Sequence, residues 1–312
     1  VSIGDIDSID ASTRYCAVFG HPIRHSASPA MQNAGIAALR LNWRYLAFEV
    51  HPDNLAAAIA GAKAMRFIGL NLTVPHKLLA VEMVDEIDPR AKAWGAVNTI
   101  VFEARNERGA WVPIALAGDG PFAEVRSHGF NTDADAIVQS LKEDFSWPDL
   151  AGASVLLLGA GGAARAAALR LAAEKIGALH IVNRTVENAE RLAAEVSRQS
   201  PAVKIAQGYP DGSVDLVLNA TSLGLKPDDA LPIDLTWLKS RRPQRVYDMI
   251  YRPKETALLR EARAVGSNTS NGLSMLLYQG AEALRLWTGA HPPVPVMRAA
   301  LEKHIHGGTD RP

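Results

Sequence analysis

The chain has 312 residues. At roughly 100–200 residues per domain, that length fits two domains rather than one small core. The 33 basic residues balance 33 acidic ones, which excludes a chain that holds nucleic acid or an anionic membrane through a large overall positive field, though not a local phosphate site. One cysteine, Cys16, excludes an internal disulfide and a cysteine-built zinc site and fits a reducing compartment.

Along the chain, Val1 to Asp10 is acidic and lacks the basic start and apolar stretch of a signal peptide. Tyr15–Gly20 reads as a strand. Ser28–Leu41 reads as a helix with Ser28 as N-cap and Pro29 in the first turn. Trp43–Val50 is a strand, Asp53–Ala64 a helix capped by Asp53, and Phe67–Val74 a strand. A helix starts near His76, and Ala96–Ala104 is a further strand. The segment from Arg105 to Gly129, with Gly109, Pro113, Gly118, Gly120 and Pro121, reads as a long loop that could carry a hairpin. A helix then runs from Asp133 to about Phe145.

Next come the nearly all-apolar strand Ser154–Leu158, a small-residue turn, the helix Ala163–Lys175 and the strand Ala178–Asn183. The helix Glu187–Arg198 follows, then strands Val203–Ala206, Val214–Ala220 and Arg245–Ile250. The helices Leu273–Leu286 and Pro295–His304 close the chain. Strands alternating with helices predict an α/β architecture. The longest greasy stretch, Ala163 to Ala173, is interrupted by Arg165 and Arg170 and is too short to span a bilayer. The expectation is a cytoplasmic protein with neither membrane nor nucleic acid as partner.

The turn Gly159-Ala160-Gly161-Gly162-Ala163-Ala164 matches the dinucleotide pattern G-x-G-x-x-G/A. Gly159 permits the tight turn, Gly161 lets backbone approach a pyrophosphate, and Ala164 lets the helix sit close to the strand. The pyrophosphate would rest on free N–H groups at the positive helix end. Alone the motif is also compatible with a ligand-free glycine turn; the strand before it and the helix and strand after it favour a dinucleotide. The second strand ends in Asn183-Arg184-Thr185, with no acid for a ribose 2′-hydroxyl. A guanidinium and a hydroxyl suit a 2′-phosphate, so NADP is expected, with NAD as the weaker alternative.

Four further signals lie outside this unit. His25-Ser26-Ala27-Ser28-Pro29 offers two hydroxyls at a helix start, able to bind a carboxylate. Asn71-Leu72-Thr73-Val74-Pro75-His76-Lys77 offers alternating polar groups and then a lysine. Ala96-Val97-Asn98-Thr99 offers an amide, and Asn131-Thr132-Asp133 a carboxylate at a helix start. Each has a plain structural reading: Ser28 and Asp133 as helix caps, Asn98 as a turn former, Lys77 as a solvated charge.

In this order the motifs resemble the shikimate dehydrogenase family, from about Tyr15 to His304. The resemblance also rests on Gly20-His21-Pro22-Ile23-Arg24, Gly95, Asn219-Ala220-Thr221-Ser222, Tyr247-Asp248-Met249-Ile250-Tyr251, Gly272-Leu273-Ser274-Met275 and Gln279. It implies an α/β substrate domain formed by residues 1–132 and 273–312, a Rossmann-like NADP-binding domain of residues 133–272, and a C-terminal helix returning to the first domain. It implies reversible NADP-linked reduction of 3-dehydroshikimate to shikimate by a monomer or homodimer. By similarity, Ser26, Ser28 and Tyr251 would hold the substrate carboxylate. Asn71, Thr73, Asn98 and Gln279 would bond ring hydroxyls. Lys77 and Asp133 would be the catalytic pair. Gly159, Ala160, Gly161, Gly162, Ala163, Asn183, Arg184, Thr185 and Thr221 would hold the cofactor, with Met249 and Gly272 along the nicotinamide.

The chain departs from the family pattern at several places. His21 stands where many members have Asn, and Ala134 where many have Gly. Asn188 stands where a second arginine often completes the 2′-phosphate clamp, with Arg191 one turn on. The segment Glu103 to His128 is longer than the usual hairpin and is expected to be a tolerated surface insertion rather than a lid or oligomer contact. The alternatives are a quinate/shikimate dehydrogenase, which tends to alter the second serine or the 2′-phosphate motif, and a non-catalytic ligand sensor, which would be expected to lose Lys77 or Asp133. Another Rossmann enzyme, such as a folate-linked dehydrogenase, would not need the Ser-x-Ser and Asn-Thr-Asp set.

Overall fold

The computed structural model describes residues 9–118, 122 and 124–307. Gly120, Pro121 and most of the acidic start, residues 1–8, lie outside the described residues. The chain divides into two compact units, Val1–Thr132 with Leu277–Pro312, and Asp133–Leu276.

The first unit opens with β1 (Arg14–Gly20), α1 (Ser28–Ala38), β2 (Trp43–Glu49), α2 (Leu55–Ala64), β3 (Gly69–Leu72) and α3 (His76–Leu79). Then come β4 (Glu86–Ile87), α4 (Pro89–Trp94), β5 (Thr99–Arg105), β6 (Trp111–Pro113) and β7 (Val125–Phe130). Its sheet has the order β2-β1-β3-β5-β7-β4, with β6 paired to β5. β1 lies parallel to β2 and β3, whereas β5 is antiparallel to β3, β6 and β7. The apolar run in β1 leaves Cys16 to Phe19 buried, as an interior parallel strand requires.

The second unit contains α5 (Asp133–Asp144), β8 (Ser154–Leu158), α6 (Gly162–Ala173), β9 (Ala178–Val182), α7 (Val186–Gln199), β10 (Lys204–Gln207), β11 (Leu216–Asn219), α8 (Leu235–Arg241), β12 (Arg245–Asp248), α9 (Ala257–Ala264) and β13 (Asn268–Asn271). Every ladder is parallel, in the order β10-β9-β8-β11-β12-β13. Numbered within the sheet this is 3-2-1-4-5-6, the doubly wound dinucleotide-binding order. The strand order reverses between β8 and β11, beside the glycine turn that follows β8. A core of Leu156, Leu158, Val217, Val246 and Leu238, with neighbours on α9, holds the sheet to its helices.

Helices α10 (Leu273–Thr288) and α11 (Val294–His306) end the described chain. From Leu277 onward they pack in the first unit. Gln32 Nε2 donates to Gly280 O at 2.9 Å, and the buried Trp287 donates to Ile100 O at 3.0 Å.

Several local expectations change. Ala27, not Ser28, takes the N-cap position of α1; Ser28 is the first helical residue and its N–H meets Ser26 Oγ at 3.4 Å. Asp53 does not cap α2. It sits in a short 3₁₀ turn, Pro52–Asn54, whose cap is the His51 ring, accepting from Asp53 N at 3.3 Å. The long segment is not simply a surface loop. β7 pairs along β5, placing Glu103 opposite Arg126 and Val101 opposite His128. β6 forms a hairpin with β5, Ile114 is fully buried, and the Arg105 and Arg126 guanidinium groups lie 4.5 and 4.6 Å from the Trp111 ring centre. The ends of the segment therefore meet in one ladder.

Candidate functional site

In the first unit the polar residues at the ends of β3, β5 and β7 form one buried network. Asn71, Asn98, Thr99 and Thr132 are at most 5% exposed. Asn98 Oδ1 accepts from Thr132 N at 2.7 Å, and Asn98 Nδ2 donates to Thr132 Oγ1 at 3.0 Å. Asn71 Nδ2 donates to Thr99 Oγ1 at 3.0 Å and to Asn98 O at 3.4 Å. The Thr99 hydroxyl lies 3.3 Å from both Asn98 Oδ1 and Thr132 Oγ1. From β2, the Tyr45 hydroxyl donates to Asn71 Oδ1 at 2.8 Å. Burial pushes the Tyr45 hydroxyl well above its usual pKa; Cys16 adds to this and the Ser28 hydroxyl opposes it. Buried polar groups need such partners, and a satisfied network fixes one arrangement.

The other first-unit candidates hang on this frame. Lys77 O accepts from Val97 N at 2.8 Å, so the backbone of α3 is tied to the residue preceding Asn98. Thr73 N donates to Phe19 O, and Thr73 O accepts from His76 N, both at 2.9 Å. Lys77, Ser26, Thr73 and Gln279 are partly exposed, and Ser28 is buried. Burial lowers the His76 imidazole pKa, with His21 and His51 acting in the same direction. Asp133, the first residue of α5, follows Thr132 directly in the chain, so the Asn98–Thr132 bonds end one residue short of it.

In the second unit the turn after β8 has the shape its composition requires. Gly159 has φ +108°, and a Cβ there would lie 3.1 Å from Thr221 Cγ2 and 3.2 Å from Ala220 O. A side chain is thus disfavoured both by conformation and by the β11 end beside it. Gly161 is the N-cap of α6 with no side-chain cap, and a Cβ built on it meets nothing within 4 Å. Gly161, Gly162 and Ala163 are exposed, while Ala164 is fully buried. Among the described residues nothing fills the space beside the Gly161 Cα, so this open helix end without a side-chain cap fits a pyrophosphate.

The adjacent strand ends are cross-tied. Asn219 Oδ1 accepts from the Thr221 hydroxyl at 2.7 Å, and Asn219 Nδ2 donates to Asp248 Oδ1 at 2.9 Å. Thr256 Oγ1 donates to Asp248 Oδ2 at 2.6 Å. Burial raises the Asp248 carboxyl pKa, against the opposing effect of these donors. A Cβ on Gly272 would lie 2.0 Å from Met249 O, so the Met249 and Gly272 backbones touch as only glycine allows. At the end of β9, Arg184 and Thr185 are exposed and Asn183 Nδ2 donates to Thr185 O at 2.8 Å. Arg191 bonds Asn188 Oδ1. No carboxylate occupies the end of this strand, so the donor set suits a 2′-phosphate.

Three family models match. The shikimate dehydrogenase substrate binding domain covers residues 18–100, shikimate / quinate 5-dehydrogenase covers 140–222, and the shikimate 5′-dehydrogenase C-terminal domain covers 272–302. A relative from Desulforamulus reducens named shikimate dehydrogenase (NADP(+)) is 41% identical over 310 residues, covering 96% of this chain and 98% of its own. The chain belongs to the shikimate dehydrogenase family. A solved shikimate dehydrogenase in complex with NADP+ has a TM-score of 0.81 at 39% identity, covering 96% of this chain and 98% of its own. A shikimate 5-dehydrogenase from Thermus thermophilus, in complex with NADP(H) and shikimate, has a TM-score of 0.76 at 33% identity, covering 93% of this chain and 99% of its own.

Ser26, Ser28, Asn71, Thr73, Lys77 and Asn98 all fall in the segment matched by the shikimate dehydrogenase substrate binding domain. Sequence reasoning missed Tyr45 and gave Thr99 and Thr132 no role. The signal for Tyr45 was available: it sits on the inward-facing phase of β2, where a buried phenol needs a hydrogen-bond partner. Among the described residues no group of three or more His, Cys, Asp or Glu could hold a metal, and no helix is long and apolar enough to cross a membrane.

Proposed function

We propose that this chain catalyses the reversible, NADP-linked interconversion of 3-dehydroshikimate and shikimate. The observation that carries the reading is the buried Asn71–Thr99–Asn98–Thr132 network, to which the Lys77 backbone is tied through Val97 and which ends one residue before Asp133. A polyhydroxylated ring calls for fixed amides and hydroxyls, and a ketone beside them calls for an acid. The names of the relatives and the matched family models support the same substrate class.

Reduction of a ketone needs a hydride at carbon and a proton at oxygen. NADPH, when bound, supplies the hydride. The Lys77 ammonium polarises the carbonyl oxygen and delivers the proton, with Asp133 as the second member of the catalytic pair that the family resemblance implies. Ser26 and Ser28 hold the ring carboxylate, a role the family resemblance also implies for Tyr251; Asn71, Thr73, Asn98 and Gln279 bond ring hydroxyls. The turn Gly159–Ala163, with Asn183, Arg184, Thr185 and Thr221, holds the cofactor, and Met249 and Gly272 flank the nicotinamide. We place the reaction in the cytoplasm, as a step in making aromatic compounds. Replacing Lys77 by Ala is expected to lower kcat by at least ~100-fold with a smaller change in shikimate binding. Steady-state kinetics showing near wild-type kcat in Lys77→Ala would overturn the assignment.

A further inference from the structure

The hydrogen bonds of the buried network fix the polarity of both amides. Asn71 Nδ2 faces Asn98 O at 3.4 Å, a carbonyl that can only accept, so the nitrogen must lie on that side. Its second hydrogen goes to Thr99 Oγ1 at 3.0 Å. Both Asn71 donors are therefore engaged inside the protein. Its oxygen receives the only proton of the Tyr45 hydroxyl at 2.8 Å, leaving one lone pair. The Asn98 amide is fixed the opposite way. Its Oδ1 faces Thr132 N at 2.7 Å, a group that can only donate, and lies 3.3 Å from the Thr99 and Thr132 hydroxyls. One Nδ2 hydrogen goes to Thr132 Oγ1 at 3.0 Å, leaving one N–H.

We propose that Tyr45 is a positioning residue: by donating to Asn71 Oδ1 it holds an arrangement in which Asn71 meets the substrate as acceptor only and Asn98 as donor only. The proposal rests on the shikimate reading above. Tyr45 is fully buried and its ring lies 6.1 Å from that of Trp287, so it acts through Asn71 rather than on the substrate. The two amides then read two ring hydroxyls by opposite polarity. The hydroxyl facing Asn71 must donate its proton, and the one facing Asn98 must accept. A ring bearing a carbonyl or ether in place of the first would meet two acceptors without a proton between them, which discriminates against such analogues.

The test begins with wild-type turnover of shikimate with NADP; its absence would refute the shikimate reading and leave the polarity argument to direct binding measurements with shikimate. Tyr45→Phe keeps the ring and removes the hydroxyl. KM for shikimate is expected to rise about tenfold, with kcat within about twofold and KM for NADP unchanged. An unchanged shikimate KM in the folded variant would overturn the proposal, as would equal losses in kcat and in NADP binding. A second arm needs no variant. Each of the two non-reacting ring hydroxyls of shikimate is replaced by fluorine, which still accepts weakly but cannot donate. One replacement is expected to weaken binding about tenfold and the other by less than about threefold. Equal effects at the two positions would overturn the assignment of opposite polarities.

Discussion

Asn98 belongs both to the buried frame and to the proposed substrate site, and its removal carries a cost set by the bonds it makes. Asn98→Ala deprives the buried Thr132 N–H of its acceptor at 2.7 Å. An orphaned buried donor costs about 1–3 kcal/mol. The Thr99 and Thr132 hydroxyls lose a partner but remain 3.3 Å from each other, so their added penalty is smaller. A total near 2–4 kcal/mol, at roughly 2–4 °C per kcal/mol for a unit of this size, lowers Tm by on the order of 10 °C. Because Asn98 also carries the free N–H, the shikimate KM should rise well beyond what the lost stability explains. Thermal unfolding followed by circular dichroism, with kinetics at a temperature where the variant is fully folded, measures both. A variant that melts within about 1 °C of wild type would show that the network is not what fixes Thr132.

Gly272→Ala places a methyl 2.0 Å from Met249 O, and neither backbone can yield without moving the ends of β12 and β13. It should destabilise the protein by about 1–3 kcal/mol and raise the KM for NADP more than that for shikimate; an unaltered melting curve would contradict the close approach. The base of the long β5–β7 segment should fail in acid. Burial works against the Glu103 charge, but His128 and Arg126 more than offset it, so its pKa is lowered in the folded chain. Asp85, held by Lys63 and Ser127 against the same penalty, is lowered too. The folded state then binds fewer protons. This stability is present above the unfolded carboxylate pKa values, about 4, and is lost as pH falls through the folded ones. Glu103→Gln should flatten the stability-versus-pH curve below about pH 4, and a curve identical to wild type would refute the clamp.

Much of the second unit was legible because its signals are local. The apolar run Ser154–Leu158 and the glycine turn after it mark a buried parallel strand meeting an open helix end, and the boundaries of β8 coincide with those expected. Strands β4 and β13 and helices α4, α8 and α9 were not anticipated. β4 has two residues and β13 reads Asn-Thr-Ser-Asn, so neither carries an apolar alternation; their place comes from pairing with β7 and β12. The caps at Ser28 and Asp53 were misread because cap propensity does not reveal which neighbour supplies the acceptor; at Asp53 it is a histidine ring.

The site was legible as a set of motifs but not as a network. Asn71 stood out among alternating polar groups followed by a lysine, and Asn98 as an amide in a short motif of its own. That the two touch through Thr99, and that Tyr45 from β2 completes them, depends on the β1–β3–β5 sheet order, which no local pattern encodes. The length of the segment from Glu103 to His128 was visible. Its closure by the β5–β7 ladder was not, because the pairing partners are separated by the insertion itself.

The most direct measurement of the central claim is a spectrophotometric assay of the purified protein, following reduced nicotinamide with shikimate and quinate, each with NADP and NAD. The open α6 terminus, the absence of a carboxylate after β9 and the exposed Arg184 lead to the highest kcat/KM for shikimate with NADP. Absence of turnover with shikimate in either pairing would contradict the account, and a clear preference for NAD would overturn the role given to Arg184.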